Sequence, residues 1–116
     1  MPLPTGKWEL KGNKGELAIS SVNPQGLVEG NINDQLLEGF WDDQAHKLVF
    51  TSMKLTNPSI MQVYTGYALF YAIADVRFAR LVGSVETISF TETGVQRDVD
   101  GWIAEINLGP IIGGKH

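Results

Sequence analysis

His46 follows Asp42 and Asp43 in Trp41-Asp42-Asp43-Gln44-Ala45-His46, the nearest approach in this sequence to a metal or acid–base cluster. An imidazole and two carboxylates can share a cation or relay a proton. With two His and no Cys in the chain, however, a zinc site would have to recruit distant carboxylates. The same six residues have the composition of a turn, in which Asp caps the backbone and His is solvated, and that reading is preferred. Ser and Thr are plentiful, yet there is no Gly-x-Ser-x-Gly elbow and no His placed to activate a hydroxyl. Neither a Walker-type loop nor Gly-x-Gly-x-x-Gly occurs. The carboxylate pairs Asp98/Asp100 and Glu86/Glu92 flank expected turns or exposed faces. No catalytic residue, metal site or cofactor is expected, and the chain does not read as an enzyme.

Composition narrows the remaining classes. The absence of Cys removes thiol catalysis, disulfide frameworks and Cys-based metal sites. Nine Lys and Arg against 13 Asp and Glu leave a net charge of −4. That balance argues against a nucleic-acid or anionic-membrane surface, which needs clustered positive charge. At 116 residues and 43% hydrophobic content, the chain fits one domain around one core. The ordered part is expected at about 6–108, with tails at 1–5 and 109–116. Met1-Pro2-Leu3-Pro4-Thr5 lacks a basic stretch followed by an apolar one, so the expected location is cytoplasmic. The apolar run from Val63 to Ala74 is shorter than the ~20 residues of a spanning helix.

The elements that would position any site are strands. Turn signals recur at Gly12-Asn13-Lys14-Gly15, Asn23-Pro24-Gln25-Gly26, Asn33-Asp34, Asp42-Asp43-Gln44, Asn57-Pro58, Gly94 and Asp98-Val99-Asp100-Gly101. Between them lie short segments rich in Val, Ile, Leu, Phe, Tyr and Thr. Strands are expected at about 6–11, 15–22, 27–32, 35–41, 47–54, 61–73, 76–88 and 101–108. Leu17 and Ile19 share a face, as do Leu48 and Phe50. Gln62 to Arg80 has apolar residues at many spacings, but its β-branched and aromatic density and central Gly66 favour two paired strands broken at Asp75. Eight short strands joined by tight turns imply an all-β, antiparallel up-and-down sheet. Closure into an eight-stranded barrel covers its apolar face and its edges.

Two surfaces of that barrel could carry function. Inside, small residues beside Trp8, Trp41, Tyr64, Phe70 and Phe78 could leave an apolar, aromatic cavity for a small apolar or amphipathic ligand. The alternative is a barrel filled by its own side chains, with no ligand and a structural or interaction role. Outside, Tyr67, Leu69 and Tyr71 share a face with Val63 and Ile73. From Leu55 to Thr91 only Asp75, Arg77, Arg80 and Glu86 are charged. An apolar outer face of this kind marks an interface, here a homo-oligomeric one, dimer or tetramer. The chain's own segment from Leu108 to Ile112 is the alternative cover.

Three stretches resemble the avidin/streptavidin family. Gly6-Lys7-Trp8, a Gly-containing turn, Leu17-Ala18-Ile19 and Gly26-Leu27-Val28-Glu29-Gly30 are similar to that family's opening strands. Val63-Tyr64-Thr65-Gly66 is similar to its aromatic-Ser/Thr-Gly segment. Gly101-Trp102-Ile103-Ala104-Glu105-Ile106 is similar to its last strand. The resemblance implies the eight-stranded barrel, and it implies that Trp102 caps a neighbouring subunit's site. The family binds biotin, but its contact residues are replaced here. Its first-strand Asn falls at Leu10, with Asn13 nearby, and its turn Ser near Lys14, Gly15 or Glu16. Its third-strand Tyr falls at Ile32, its Thr at Gln62, its aromatic at Tyr64, and its final Asp near Pro110. Its fifth-strand Trp has no counterpart in Phe50-Thr51-Ser52-Met53. A ureido group bound without converging partners leaves polar groups unpaired at ~1–3 kcal/mol each. The expected ligand is therefore not biotin.

Overall fold

The alternation in the sequence is realised as eight antiparallel strands closed on themselves. In the computed structural model the described residues are 2–12, 14–54 and 57–111. The strands are β1 (Gly6–Leu10), β2 (Gly15–Val22), β3 (Leu27–Ile32), β4 (Gln35–Asp42), β5 (Lys47–Lys54), β6 (Asn57–Ile73), β7 (Val76–Thr91) and β8 (Gly94–Pro110). Each pairs with its neighbour in sequence, and β8 returns to β1. The expected fold class is the observed one.

One residue in two points inward, as a pleated strand requires. Trp8, Leu10, Leu17, Ile19, Val28, Ile32, Leu37 and Trp41 are buried from the first four strands. Leu48, Phe50, Tyr64, Ala68, Ala79, Leu81, Val85, Trp102 and Ala104 are buried from the others. The hairpins are tight: Asn33-Asp34 and Ala74-Asp75 each hold two consecutive positive φ angles. That geometry matches the right-handed strand twist across a two-residue loop. On β2 the register shifts between Ile19 and Ser21, and such a bulge bends a strand around a barrel.

The barrel has two ends. At the mouth lie the β1–β2 and β3–β4 turns and the rising β7–β8 hairpin. At the base lie the β2–β3, β4–β5 and β6–β7 turns. Residues 2–5, expected as a tail, tuck under the base instead: Leu3 is buried, and the Pro4 carbonyl accepts a hydrogen bond from Trp8 Nε1 at 3.1 Å.

The larger departure is in β6–β8. The expected turn at Asp98-Val99-Asp100-Gly101 is strand, and β8 begins at Gly94. The reason is the partner: β7 continues to Thr91 and offers a ladder from Glu86↔Val99 to Thr91↔Gly94. Ladder hydrogen bonds override the weak turn preference of two Asp residues. Among the described residues, β1 pairs with β8 at Glu9↔Glu105 and Leu10↔Ala104. The first part of β8 therefore rises past the barrel as an arm with β7 and the start of β6. The molecule measures 64 × 31 × 24 Å, with a radius of gyration of 15.6 Å, against about 13 Å for a rounded domain of this length.

Candidate functional site

Four strands in succession place a polar residue at the mouth end of an otherwise apolar inward row. They are Gln35 on β4, Ser52 on β5, Gln62 on β6 and Thr87 on β7. Ser52 is buried, and its Oγ donates to Gln35 Oε1 at 3.1 Å. Tyr64 Oη donates to Gln62 Oε1 at 3.0 Å, and Gln62 Nε2 donates to Thr87 Oγ1 at 3.3 Å. Burial pushes the Tyr64 phenol above its ordinary pKa, so it remains a neutral donor.

Beneath this arc is an aromatic floor. Phe50 and Tyr64 stack with centroids 4.5 Å apart. Trp102 stands edge-on to both, at 5.9 Å from Phe50 and 5.5 Å from Tyr64. Its Nε1 lies 3.1 Å from the carbonyl oxygens of Thr65 and Ser84 and donates to both. The indole fits because Trp102, Gly83 and Gly66 lie in one cross-strand row. A Cβ at Gly66 would come within 2.7 Å of Trp102 Cζ2.

The rim is pinned by Asn33 in the β3–β4 turn. Its Oδ1 accepts from the Glu16 backbone N–H at 2.9 Å, and its Nδ2 donates to the Lys14 carbonyl at 2.8 Å. The partly open cavity here holds about 350 Å³, and Gln35, Gln62, Thr87 and Asp100 line it above Tyr64 and Trp102, with Leu10, Lys14 and Asn33 at its side. That lies within the usual size range of small-molecule sites.

The residues expected to line a ligand site are not brought together. Tyr64 is at the mouth. Trp8 is fully buried beneath it. Trp41 is at the base, stacked on His46 at 6.0 Å, and Phe70 meets His46 edge-on at 5.4 Å. Phe78 is outside: Phe70 pairs with Ala79, so Ala79 points inward and its neighbour outward, where Phe78 stacks on Tyr71 at 5.6 Å. Asn13 lies outside the described residues. Pro110 pairs with Val76 at the base, far from the mouth. Gln35, Ser52 and Thr87 were missed, although a polar residue in inward phase at a strand end was a usable signal. His46 gives no metal centre: among the described residues no group of three or more metal-ligating side chains occurs.

The base also carries an open groove of about 690 Å³ among Leu3, Pro24, Phe40 and Trp41. It is formed by turns and the N-terminal segment, and the Trp41 Nε1 there is already bonded to Asp43 Oδ1 at 3.1 Å. The mouth, with polar groups converging from four strands, is the better candidate.

On the outer wall, Tyr67 and Leu69 are about half exposed, and Tyr71 is half-buried beside them. The described part of the C-terminal segment, to Ile111, comes beside Tyr71 and leaves Tyr67 and Leu69 exposed. Trp102, expected with them, is 5% exposed and inside its own barrel, because it pairs with inward-facing Gly83. Glu105 gathers the wall's charges: Arg80 Nη2 lies 2.7 Å from its Oε2, Lys11 Nζ lies 3.3 Å from its Oε1, and the Tyr71 hydroxyl donates to it. These donors, Tyr71 first and Arg80 second, lower its pKa from 4.5 to about 2. A lowered folded-state pKa stabilises the fold above the unfolded value. That contribution is present above about pH 4.5 and is lost as pH falls towards about 2. Glu105→Gln is accordingly expected to lower stability by about 1 kcal/mol at neutral pH, after solvent screening of this partly exposed network. The gap in Tm from the wild-type chain should close in acid, and a gap that persists at pH 2 would contradict the assignment.

The arrangement is an avidin-like scaffold, a closed eight-stranded barrel with a lumen open at one end. Two solved structures share it. The rhizavidin–biotin complex superposes with a TM-score of 0.67 at 15% identity, covering 88% of this chain and 91% of that one. A low-affinity mutant of shwanavidin superposes with a TM-score of 0.64 at 10% identity, covering 91% of this chain and 98% of that one. No protein-family model and no curated protein sequence matches this chain.

Proposed function

We propose that this protein is a non-enzymatic binding barrel that takes a small amphipathic ligand other than biotin at its mouth. The observation that carries the reading is the hydrogen-bonded arc of Gln35, Ser52, Gln62, Tyr64 and Thr87 at one end of an apolar lumen. Amide and hydroxyl groups there can exchange their internal bonds for bonds to a ligand's polar end. The ligand's apolar or aromatic part then rests on Tyr64 and Trp102. Leu10 presents no polar atom where the resembling family has an amide, which disfavours a ureido head group. The likeness to rhizavidin, solved as a biotin complex, supports a small-molecule ligand on this scaffold.

Thermal-shift measurements against small aromatic amides, hydroxylated acids, ureas and biotin test this reading. At least one amphipathic compound should raise Tm, and the shift should vanish in Gln62→Leu and shrink in Tyr64→Phe. Biotin should give none. Uniformly flat melting across the panel would sink the ligand reading in favour of a filled barrel with a structural role.

The half-exposed Tyr67 and Leu69 beside Tyr71 favour a homo-oligomer assembled through the outer wall of β6–β8. Val82 and Ile103 on the neighbouring strands are exposed with them, and such a mix of aromatic and aliphatic residues is the composition of an interface core.

A further inference from the structure

The arm reopens an edge that the barrel closes. Among the described residues, β1 reaches β8 as far as Ile103, whose carbonyl accepts from the Lys11 N–H at 2.9 Å. Above that point Gly94 to Gly101 are all exposed, and β7 is the described strand paired with them. The β7–β8 register runs unbroken from Phe78↔Asn107 to Thr91↔Gly94. Backbone groups therefore alternate between the two sides of β8 in phase with Ile103. Val95, Arg97 and Val99 turn their N–H and C=O groups away from β7, to the open side. Their side chains lie on the outer face, and those of Gln96, Asp98 and Asp100 on the lumen face. Edges of this kind are ordinarily blunted by Pro, Lys, a bulge or a covering loop. Gly94 to Asp100 contains no Pro and no Lys, and its register has no shift. Arg97 Nη2 is paired with Glu86 Oε2 at 2.7 Å. Asp98 and Asp100 make no ion pair among the described residues.

We propose that this edge is a docking site for an extended, basic segment of another protein, which joins the sheet as an antiparallel strand beside β8. Backbone bonds to Val95, Arg97 and Val99 supply affinity, as in other cases of strand addition. The span from Gly94 to Asp100 is roughly 20 Å at about 3.4 Å per residue, room for a strand of about seven residues. Side chains supply the choice of partner. Residues of the added strand opposite Gln96, Asp98 and Asp100 fall in non-hydrogen-bonded pairs, where side chains approach most closely. Lys or Arg facing Asp98 and Asp100 makes opposite-charge cross-strand pairs. Aliphatic residues at the intervening positions extend the outer face of Val95 and Val99. Charge disfavours the same edge of a second copy. A two-fold register centred on Arg97 sets Arg97 against itself, and one centred on Asp98 sets Asp98 against itself. Centring on Val99 sets Asp98 against Asp100. Like charges directly opposed are destabilising. The net charge of −4 also favours a basic partner.

Amide hydrogen exchange on the full chain tests this, with a short acetylated and amidated peptide alternating Val and Lys as the probe. At saturating peptide the amides of Val95, Arg97 and Val99 should exchange at least tenfold more slowly, while those of Gln96 and Asp98, already bonded to β7, change little. N-methylation of the peptide at its Val residues should abolish this protection. N-methylation at its Lys residues, whose amides face away, should be tolerated. Asp98→Asn with Asp100→Asn should weaken binding at least tenfold. Val99→Pro removes one edge donor without touching the β7 ladder, and should weaken it as much with an unchanged far-ultraviolet spectrum. Equal protection by an alternating Val–Glu peptide or by the Val-methylated one overturns the proposal, as does no protection at millimolar peptide. Protection of these amides in the protein alone, rising with its concentration, gives the edge to a second copy and overturns it too. Leu69→Lys, on the outer wall, should run at 12.7 kDa in light scattering and bind the peptide as the wild-type chain does. Peptide binding lost together with assembly would put the site between copies and overturn the edge.

Discussion

Trp102→Ala is expected to lower barrel stability by about 3–5 kcal/mol, the range for truncating a large buried aromatic residue. The indole is 5% exposed, packs edge-on against Phe50 and Tyr64 and donates to two carbonyls on adjacent strands. Truncation removes its packing, its bonds and one of the three rings beneath the mouth. Urea unfolding, with the midpoint and slope read separately, measures the loss. Assembly should survive wherever the fold does, because the indole faces its own lumen and not the outer wall. A loss below about 1 kcal/mol would mean that the floor rearranges to fill the space and that its aromatic order matters less than its geometry implies.

The second large effect separates two glycines that share one cross-strand row. At Gly83 an added Cβ would lie 1.7 Å from the Thr65 carbonyl oxygen and 2.7 Å from Gly66 Cα. Backbone cannot yield without parting β6 from β7, so Gly83→Ala should cost more than the ~1–3 kcal/mol of ordinary overpacking and leave little folded protein. At Gly66 the nearest atom is Trp102 Cζ2, a side chain that can be removed. Gly66→Ala should therefore be severe in the wild-type background and nearly silent in a Trp102→Ala background. Gly83→Ala should be equally damaging in both. Chemical denaturation of the four single and double variants closes the two cycles. Additive behaviour of Gly66→Ala with Trp102→Ala would show that the indole is not what the glycine makes room for.

These glycines show how far the sequence could be read. Gly66 was visible as an interruption in an apolar run, and it marked that run as strand. Its purpose was not visible, because the indole it admits comes from residue 102, two strands away. The same limit applies to the site. Tyr64 could be named from its segment, and Gln62 from its position before it. Gln35, Ser52 and Thr87 offered only their inward phase at strand ends, a signal that gains meaning once strand pairing sets them side by side. Phe78 was misplaced by one residue of phase, which moves a side chain from one face of a sheet to the other. Trp102 was assigned to an interface through a resemblance in its segment, and pairing with Gly83 turned it inward.

By itself the sequence determined the class of chain: acidic, without Cys, built of eight antiparallel strands, and with no Walker-type loop or Gly-x-Ser-x-Gly elbow. Strand alternation, turn composition and length carry that information locally, so it needs no knowledge of partners. Tertiary structure decided where the apolar surplus between residues 60 and 90 goes, and that Asp98 to Gly101 extends a strand. It also decided which end of the barrel gathers polar groups. Those outcomes depend on register between strands far apart in sequence, where ladder hydrogen bonds and close packing outweigh the local preference of any one residue.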